Sequence, residues 1–277
     1  MVRFDQLISH RFRGFSEHEN TIEGLVAALD YGVQLLEFDI RVTRCGTPLI
    51  YHDECALDKS RKKRYLSEVF AKDLKELGGT FHHMPTADAL FDAAANHPNK
   101  TAKLLVDIKD AGFETEIDAL IRSHQLQDRV TCVSWVPQVL YSMAEIAPDI
   151  PLCLSHWPES PDHLLRALHH VYDAKDGRIP HTHRQQFVHG ERSGWYVKGG
   201  LKGELRMLIR QSGGSVCLPV NMLNADLIKD YQKEGIEVSA FSFIDWPTLD
   251  RCEEAYGLDL YFIDRREVFE QFKGRRG

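Results

Sequence analysis

Eight short apolar segments, separated by longer segments of mixed polarity, constrain the fold of this chain more than any other feature of its sequence. They span residues 7–10, 35–41, 103–108, 130–134, 151–155, 215–218, 237–241 and 260–263. Most are continuously apolar rather than alternating, which is typical of parallel strands that are covered by helices. Because parallel strands need long crossover connections, the pattern predicts a mixed α/β fold.

The segments between these runs carry signals for helices. Asn20, with Glu23 three residues later, predicts a capping box that opens a helix through Ala28. Thr86 is expected to open a second helix, and helical signals recur in 113–124, 225–234 and 246–256. Eight strands alternating with helices predict a (β/α)8 TIM barrel, which commonly needs about 250 residues. An open doubly wound sheet is the alternative, but neither of the usual Gly-rich phosphate loops is present.

The length of the chain and the absence of a shift in composition predict a single domain over residues 1–277. Residues 173–202 do not fit the strand and helix pattern, because they hold His181, His183 and His189 among several glycines without a clear period. We expect this segment to be a lid, an oligomer contact or an irregular insertion within the barrel.

Charge and hydropathy exclude several classes of partner. The chain has 34 basic and 41 acidic residues and a net charge of −7, so it lacks the basic field of a nucleic-acid-binding protein. No apolar stretch approaches the roughly 20 residues that span a bilayer, which argues against membrane insertion. Residues 1–6 lack the apolar core of a signal peptide and the six cysteines form no CxxC pair, so a cytoplasmic protein is expected. The sequence carries no signal for a particular oligomeric state.

The second strand carries two carboxylates. Glu37 and Asp39 are two residues apart, so their side chains leave the same face of the strand. If that face points into the barrel mouth, a divalent cation would relieve the repulsion between them. The alternative is a surface strand whose polar face points to solvent.

A predicted hairpin brings a histidine toward these carboxylates. The turn around Cys45 and Gly46 is too short for a crossover helix, so the run 48–53 must return antiparallel to the second strand. With the turn at this position, His52 is expected approximately opposite Asp39. We therefore predict a β-hairpin extension after the second barrel strand.

Two other strands end in residues that suit phosphate chemistry. His10 and Arg11 end the first strand, and a guanidinium suits bidentate contact with phosphoryl oxygens. Asp107 and Lys109 share a face at the end of the third strand, where they offer a further metal ligand and a phosphate contact. A salt bridge across the barrel mouth is the alternative for each pair taken alone.

Together these residues resemble the signature of the glycerophosphodiester phosphodiesterase family. The matching residues are His10-Arg11, Glu19-Asn20-Thr21, Glu37-Phe38-Asp39, Gly46 and His52-Asp53. Weaker matches follow at Met84-Pro85-Thr86, Asp107-Ile108-Lys109, Val133-Ser134-Trp135, Phe241-Ser242 and Phe262-Ile263-Asp264. The first 53 residues are highly specific as a set, whereas the later matches are individually weak.

The resemblance implies a TIM barrel and a bound divalent metal ion, Mg²⁺ or Ca²⁺. By position, the metal ligands would be Glu37, Asp39 and Asp107. His10 and His52 would act as general acid and base, with the order left open.

Four further residues are expected to contact the substrate. By the same resemblance, Arg11 and Lys109 would hold the phosphate. Trp135 and Phe241 lie at predicted strand ends, so they are candidates to line the substrate pocket, with packing in the core as the alternative.

The expected activity is the hydrolysis of a small soluble phosphodiester to a phosphomonoester and an alcohol, either directly or through a cyclic phosphate. The family pattern is altered at Phe12-Arg13, which precede the usual glycine, at His18 in place of proline and at Cys45 in place of aspartate. Asp107 also replaces glutamate, and Phe241 replaces a common tryptophan. These changes keep open a sugar phosphodiester of the opine type (for example, agrocinopine) as the substrate. A lyase that stops at the cyclic phosphate and a binding protein without turnover are further alternatives.

Overall fold

The computed structural model describes residues 1–158, 195–196 and 199–274. The strands in these residues are β1 Leu7–His10, β2 Leu35–Val42, β3 Pro48–Ile50, β4 Cys55–Leu57, β5 Lys63–Tyr65, β6 Lys103–Ile108, β7 Val130–Ser134, β8 Leu152–Trp157, β9 Trp195–Tyr196, β10 Ser215–Pro219, β11 Glu237–Phe243 and β12 Leu260–Ile263. The helices are α1 Ile22–Tyr31, α2 Leu74–Leu77, α3 Ala87–Asn96, α4 Glu114–Ser123, α5 Pro137–Ile146, α6 Gly203–Gln211, α7 Ala225–Lys233, α8 Trp246–Tyr256 and α9 Arg266–Gly274.

Eight of the strands form a closed parallel barrel. Their order is β1-β12-β11-β10-β8-β7-β6-β2, and β2 pairs with β1 to close the ring. Within this ring His10 pairs with Glu37, and Asp39 pairs with Asp107. The predicted (β/α)8 TIM barrel is therefore confirmed, and the carboxyl ends of its strands meet at one mouth.

The alternation of residues along β2 separates the apolar core from the polar mouth. Leu36, Phe38 and Ile40 are buried among the residues that pack between the strands and the helices. Glu37 and Asp39 leave the opposite face of the same strand, toward the barrel interior. This placement excludes the alternative of a surface strand, because Glu37 is only 2% exposed and Asp39 is 0% exposed.

The expected hairpin after the second strand is present. β3 pairs antiparallel to β2, with Arg41 opposite Leu49. The chain then leaves the barrel for residues 51–86, which we call the 51–86 excursion. Its apolar side chains form a small core of their own, which includes Leu66, Leu74 and Phe81.

One predicted helix start was wrong by a residue. The N-cap of α1 is Thr21, whose side chain accepts a hydrogen bond from the N–H of Gly24 at 3.1 Å. Asn20 lies outside the helix with a φ of +58°. Its amide is engaged with Asp39 instead, so it is not available to cap the helix. The predicted cap at Thr86 was correct.

Two further predictions concern a lid over residues 173–202 and the absence of a membrane-spanning segment. The proposed lid at 173–202 lies outside the described residues, apart from 195–196 and 199–202. Within the part of the chain that the structure describes, no helix combines the length and the apolar character needed to cross a membrane.

Candidate active site at the barrel mouth

Three buried carboxylates lie together at the mouth of the barrel. One oxygen from each of Glu37, Asp39 and Asp107 falls within 4.8 Å of the other two. Adjacent pairing of β2 with β6 produces this grouping, because Asp39 and Asp107 share a register position. We call these three residues the carboxylate cluster.

The carboxylate cluster fits a hard divalent cation. Mg²⁺ and Ca²⁺ prefer carboxylate oxygens as ligands. Oδ1 of Asp107 is buried and has no hydrogen-bond partner among the described residues, so a ligand-ready oxygen faces the cluster. Burying such an oxygen without a partner is costly, and a cation would remove that cost.

The pKa values of the cluster show the same cost of burying several carboxylates together. Burial, followed by repulsion from Asp39 and Asp107, raises the pKa of Glu37 well above its ordinary value. Burial also raises the pKa of Asp107. Asp39 differs: burial opposes its ionisation, yet Lys109 and Arg11 hold its pKa well below the ordinary range. The cluster therefore contains one firmly ionised carboxylate and two that resist ionisation without a further positive charge.

Two cations flank the cluster. Nζ of Lys109 lies 2.8 Å from Oδ1 of Asp39 and also contacts Oδ2 of Asp107. Nε of Arg11 lies 3.1 Å from Oδ2 of Asp39, and its Nη1 donates to Glu19 at 3.2 Å. Both predicted phosphate-binding residues are thus beside the predicted metal ligands.

The loop after β1 fixes Arg11 in this position. Arg11 and Phe12 have φ values of +56° and +59°, which turn the chain sharply at the mouth. The N–H of Arg11 donates to the backbone oxygen of Glu37 at 2.9 Å, and the N–H of Asn20 donates to the oxygen of Arg11 at 2.8 Å. Asn20 then reaches the cluster itself, because its Nδ2 donates to Oδ2 of Asp39 at 2.9 Å.

His10 belongs to the same site and has a carboxylate partner of its own. Its Nε2 lies 3.7 Å from Oε2 of Glu37, while its Nδ1 lies 2.5 Å from Oδ1 of Asp264. Asp264 also accepts from Nη1 of Arg13 at 2.8 Å and from Oγ of Ser242 at 2.7 Å. Burial opposes ionisation of Asp264, but the contact with His10 holds the pKa of Asp264 at about 2. The ionised Asp264 orients the imidazole so that Nε2 faces the carboxylate cluster.

His52 lies across the mouth with a similar arrangement. The N–H of Tyr51 donates to the oxygen of Asp39 at 3.0 Å, so Tyr51 is opposite Asp39 and His52 is one residue further on. Nδ1 of His52 lies 2.7 Å from Oδ1 of Asp53. Burial is the main cause that lowers the pKa of His52 to about 4, and the positive charge of Lys109 adds to it. Two His–Asp pairs therefore stand at the site, one on β1 and one after β3.

The two predicted aromatic residues meet each other. The ring centroids of Trp135 and Phe241 are 5.5 Å apart, and Trp157 adds a third ring 6.0 Å from Trp135. Asp107 pairs with Val133, so Trp135 stands two residues further toward the mouth, at the level of Lys109. The aromatic side chains thus form a wall on the β7–β8–β11 side of the barrel.

The sequence patterns gave three residues of the site no catalytic or binding role, and one of them, Asn20, was predicted to cap a helix instead. Asp264 and Asn20 make direct hydrogen bonds to His10 and Asp39, and Glu19 joins Arg11 to Arg13. Asp264 directly follows a barrel strand, and acidic residues at that position commonly belong to active sites. The role of Asp264 could therefore have been predicted from the sequence. The contact of Asn20 with Asp39 could not, because it depends on the geometry of the loop.

Comparison with known proteins identifies a family for this chain. The sequence profile of the Glycerophosphoryl diester phosphodiesterase family matches residues 8–265. The human Glycerophosphodiester phosphodiesterase 1 is 25% identical over 167 residues, which cover 56% of this chain and 50% of the relative. A Glycerophosphodiester phosphodiesterase of Caldanaerobacter subterraneus is 22% identical over 161 residues, which cover 53% of this chain and 65% of the relative. The chain therefore spans only about half to two thirds of the curated relatives that it matches.

Solved structures share the fold over almost the whole chain. An Oleispira antarctica phosphodiesterase in complex with the product sn-glycerol-3-phosphate has a TM-score of 0.65 at 19% identity, covering 98% of this chain and 97% of that one. A glycerophosphodiester phosphodiesterase from Thermotoga maritima has a TM-score of 0.63 at 15% identity, and the match covers 98% of this chain and 100% of that one. These similarities establish the barrel, and the profile match over residues 8–265 establishes the family. The chain belongs to the glycerophosphoryl diester phosphodiesterase family.

Proposed function

We propose that this chain is a metal-dependent phosphodiesterase that hydrolyses a small, soluble glycerophosphodiester to a phosphomonoester and an alcohol. The observation that carries the proposal is the buried carboxylate cluster between Arg11 and Lys109, with a His–Asp pair on either side. The names of the matched relatives support the same substrate class. We further propose that residues 1–277 act as one domain.

The proposed metal ligands are Glu37, Asp39 and Asp107, and the proposed ion is Mg²⁺ or Ca²⁺. When bound, such an ion would neutralise the charge of the phosphodiester and polarise its phosphorus–oxygen bonds. The raised pKa of Glu37 supports this assignment, because burial and two neighbouring carboxylates disfavour its charge without a cation. Lys109 and Asn20 would hold Asp39 in place as a ligand, since both contact its carboxylate.

Arg11 and Lys109 are the proposed phosphate-binding residues. Both lie beside the cluster with only 13% and 10% of their side chains exposed. Both remain charged, because their carboxylate neighbours oppose the effect of desolvation. They would orient the phosphodiester and stabilise the charge that its oxygens gain as the bond to the leaving alcohol breaks. Trp135 and Phe241 are proposed to line the pocket for the organic part of the substrate.

His10 and His52 are the proposed acid–base pair. One imidazole accepts the proton of the attacking oxygen, and the other donates a proton to the departing alkoxide, so that charge and protons balance over the reaction. Each Nδ1 faces an aspartate, which leaves each Nε2 available for proton transfer. The attacking oxygen belongs to water or to a neighbouring hydroxyl of the substrate. If the hydroxyl attacks, a cyclic phosphate forms before water hydrolyses it.

The proposed cellular location is the cytoplasm. All six cysteines are unpaired thiols, as is usual in a reducing compartment. A small-molecule phosphodiester is the proposed partner, without nucleic acid.

Single substitutions of the two histidines test the proposal. His10→Ala and His52→Ala should each lower kcat on glycerophosphodiesters by about 10²–10⁴-fold, the usual contribution of general acid–base catalysis. His82→Ala is a matched control, because His82 is exposed and contacts no residue of the carboxylate cluster. Unchanged turnover in both histidine variants would exclude the proposed acid–base roles.

Phosphorus NMR of the product separates hydrolysis from the lyase alternative. A phosphomonoester as the final product supports the hydrolase. A cyclic phosphate that accumulates without further conversion would assign the chain to the lyases instead.

A further inference from the structure

Arg41 lies at the barrel mouth, two residues beyond Asp39 on β2, and its side chain leaves the same face of the strand. Its Nε donates to the backbone oxygen of His52 at 3.0 Å. Its Nη1 donates to Oδ1 of Asp110 at 3.1 Å. The guanidinium therefore joins the proposed acid–base residue after β3 to the loop that follows β6.

Asp110 fixes the guanidinium on the β6 side. Its Oδ2 accepts from the N–H of Val42 at 2.9 Å, so one carboxylate contacts both the backbone and a side chain of β2. The N–H of Lys109 donates to the backbone oxygen of Ile40 at 3.0 Å, which extends the parallel pairing of β6 with β2 up to the residue before Asp110. The position of Arg41 is thereby tied to the strand end that carries Lys109.

The contact of Arg41 with His52 falls where no strand holds the chain. Residues 51–54 form the irregular connection between β3 and β4. The N–H of Tyr51 donates to the backbone oxygen of Asp39 at 3.0 Å, which anchors the start of this connection. The next residue, His52, is anchored through its own backbone oxygen by Arg41. The direction in which the imidazole leaves the chain therefore depends on a side-chain contact rather than on a strand ladder.

Arg41 also acts on the carboxylate partner of His52. Nδ1 of His52 lies 2.7 Å from Oδ1 of Asp53. This contact is the main cause that lowers the pKa of Asp53 against the opposing effect of burial, and the positive charges of Arg11 and Arg41 add to it. Arg41 thus supports both the backbone of His52 and the ionised state of the aspartate beside its ring.

Stability gives little reason to bury this ion pair. The side chains of Arg41 and Asp110 are only 9% and 10% exposed. Replacing a buried ion pair with apolar side chains of similar volume is often neutral or stabilising. A guanidinium, by contrast, presents five donors in a rigid plane, so it can contact a carboxylate and a carbonyl at once in a fixed geometry. The arrangement therefore favours a role in positioning.

We propose that Arg41, held by Asp110, is a positioning residue that fixes the backbone of His52 so that its imidazole can transfer a proton to or from the substrate. The inference rests on the proposed function and adds to it a residue that acts through His52. A misplacement of about 1 Å at a reacting group can cost about 100-fold in rate. Loss of the contact should therefore lower kcat, whereas KM should stay close to the wild-type value.

The test removes both charges of the pair, because a single charge left buried would destabilise the fold. Arg41→Met/Asp110→Asn keeps an oxygen that can accept from the N–H of Val42, and it should lower kcat about 10–100-fold. Arg41→Lys retains a cation beside Asp110 and should recover part of the lost kcat. Asp58→Asn/Arg64→Met is the matched control, because it removes an ion pair of the β4–β5 hairpin, 3.0 Å long, and should keep the wild-type kcat.

A double-mutant cycle with His52→Ala shows whether the pair acts through His52. In the His52→Ala background, Arg41→Met/Asp110→Asn should cause no further loss of kcat, because the group that the pair positions is already gone. A loss of the same size in both backgrounds would overturn the inference. If the pair variant does not fold, Arg41→Lys takes its place in the cycle, with a smaller loss expected beside His52 and none in its absence.

Metal affinity separates positioning of His52 from disturbance of the carboxylate cluster. The Kd for Mg²⁺ of the Arg41→Met/Asp110→Asn variant should equal that of the wild type. A rise in Kd that accounts for the loss of kcat would overturn the inference, because the pair would then act through Asp39.

The outcomes also separate this inference from the proposed function. Wild-type turnover that the Arg41→Met/Asp110→Asn variant leaves unchanged would overturn the inference and leave the phosphodiesterase proposal intact. Absence of hydrolysis of every glycerophosphodiester by the wild-type chain would overturn both.

Discussion

Oδ1 of Asp264, directly after the last barrel strand, lies 2.5 Å from Nδ1 of His10 at the end of the first strand. The two residues are 254 positions apart and meet only because β12 and β1 are neighbours when the barrel closes. Asp264 is held in turn by Arg13 and Ser242. A carboxylate placed in this way fixes both the tautomer and the orientation of the histidine.

Replacing Asp264 tests whether this contact positions His10. Asp264→Asn should lower kcat by about 10–100-fold, the usual cost of losing a supporting hydrogen bond to a functional side chain. KM should change little, and the pH–rate profile should shift because the imidazole loses its ionised partner. Ser242→Ala removes another contact of Asp264 without touching His10, so a much smaller effect is expected. Equal losses in the two variants would argue that Asp264 acts only through general stability.

Asn20 should influence metal affinity rather than stability. Asn20→Ala removes the donor that holds Oδ2 of Asp39, and loss of such a contact typically weakens metal binding about 10–100-fold. Thr21→Ala is the matched control, because it removes the N-cap of α1 and should cost about 1 kcal/mol of unfolding free energy. Calorimetric titration with Mg²⁺ or Ca²⁺ measures the first effect, and denaturant unfolding measures the second. Similar metal affinity in both variants would contradict the role assigned to Asn20.

Substitution of Glu37 should separate stability from metal binding. In the absence of metal, Glu37→Gln should raise Tm, because it removes a carboxylate that burial and two carboxylate neighbours make hard to ionise. A metal concentration of a hundred times Kd should stabilise the folded wild type by about 2.7 kcal/mol and raise its Tm accordingly. The same concentration should raise the Tm of the variant far less. Glu116→Gln, at an exposed position, should leave both values unchanged. A variant that keeps the full metal-dependent rise would remove Glu37 from the ligand set.

Cys45 should be an unusually acidic thiol. Its Sγ accepts from the N–H of Ala71 at 3.4 Å and lies 3.3 Å from Oγ1 of Thr43, and these contacts lower the pKa of Cys45 to about 6. The thiolate fraction rises with pH, so the rate of alkylation by iodoacetamide should reach half its maximum near pH 6. Cys55, whose pKa is raised by burial, is the internal reference and should react only at higher pH. A midpoint for Cys45 near the ordinary value of 9.0 would contradict the prediction.

Gly79 should be required for the packing of the 51–86 excursion. Its φ is +59°, and a Cβ there would lie 2.6 Å from the backbone oxygen of Leu57. Gly235 also has a positive φ, +76°, but nothing lies within 4 Å of the position of its Cβ. Gly79→Ala should therefore destabilise the chain by about 1–3 kcal/mol more than Gly235→Ala, as expected when steric overlap adds to backbone strain. Equal losses in denaturant unfolding would show that the contact with Leu57 relaxes without cost.

The barrel and the position of its carboxylates followed from local patterns. Apolar runs identified the strands, and the alternation around Phe38 placed Glu37 and Asp39 on one face of β2. Parallel neighbours then bring Asp107 to the level of Asp39. These features depend on the alternation of side chains between the two faces of a strand, which can be read directly from the sequence.

The remaining features depend on contacts that no local pattern encodes. Asp264 reaches His10 only through ring closure. Asn20 was assigned to a helix cap, because its spacing to Glu23 fits a capping box, but the positive φ of Asn20 turns its amide toward Asp39. The contact between the tilted rings of His18 and His83 joins two loops whose paths are set by tertiary packing.

The central claim is metal-dependent hydrolysis at the carboxylate cluster. The most direct measurement is phosphomonoester release from glycerophosphodiesters by the wild-type chain, followed by phosphorus NMR with Mg²⁺ or Ca²⁺, then with excess chelator, and again after metal is restored. The account predicts release that stops with the chelator and resumes with the metal. Release that continues at the same rate in excess chelator, or no release with either metal, would contradict it.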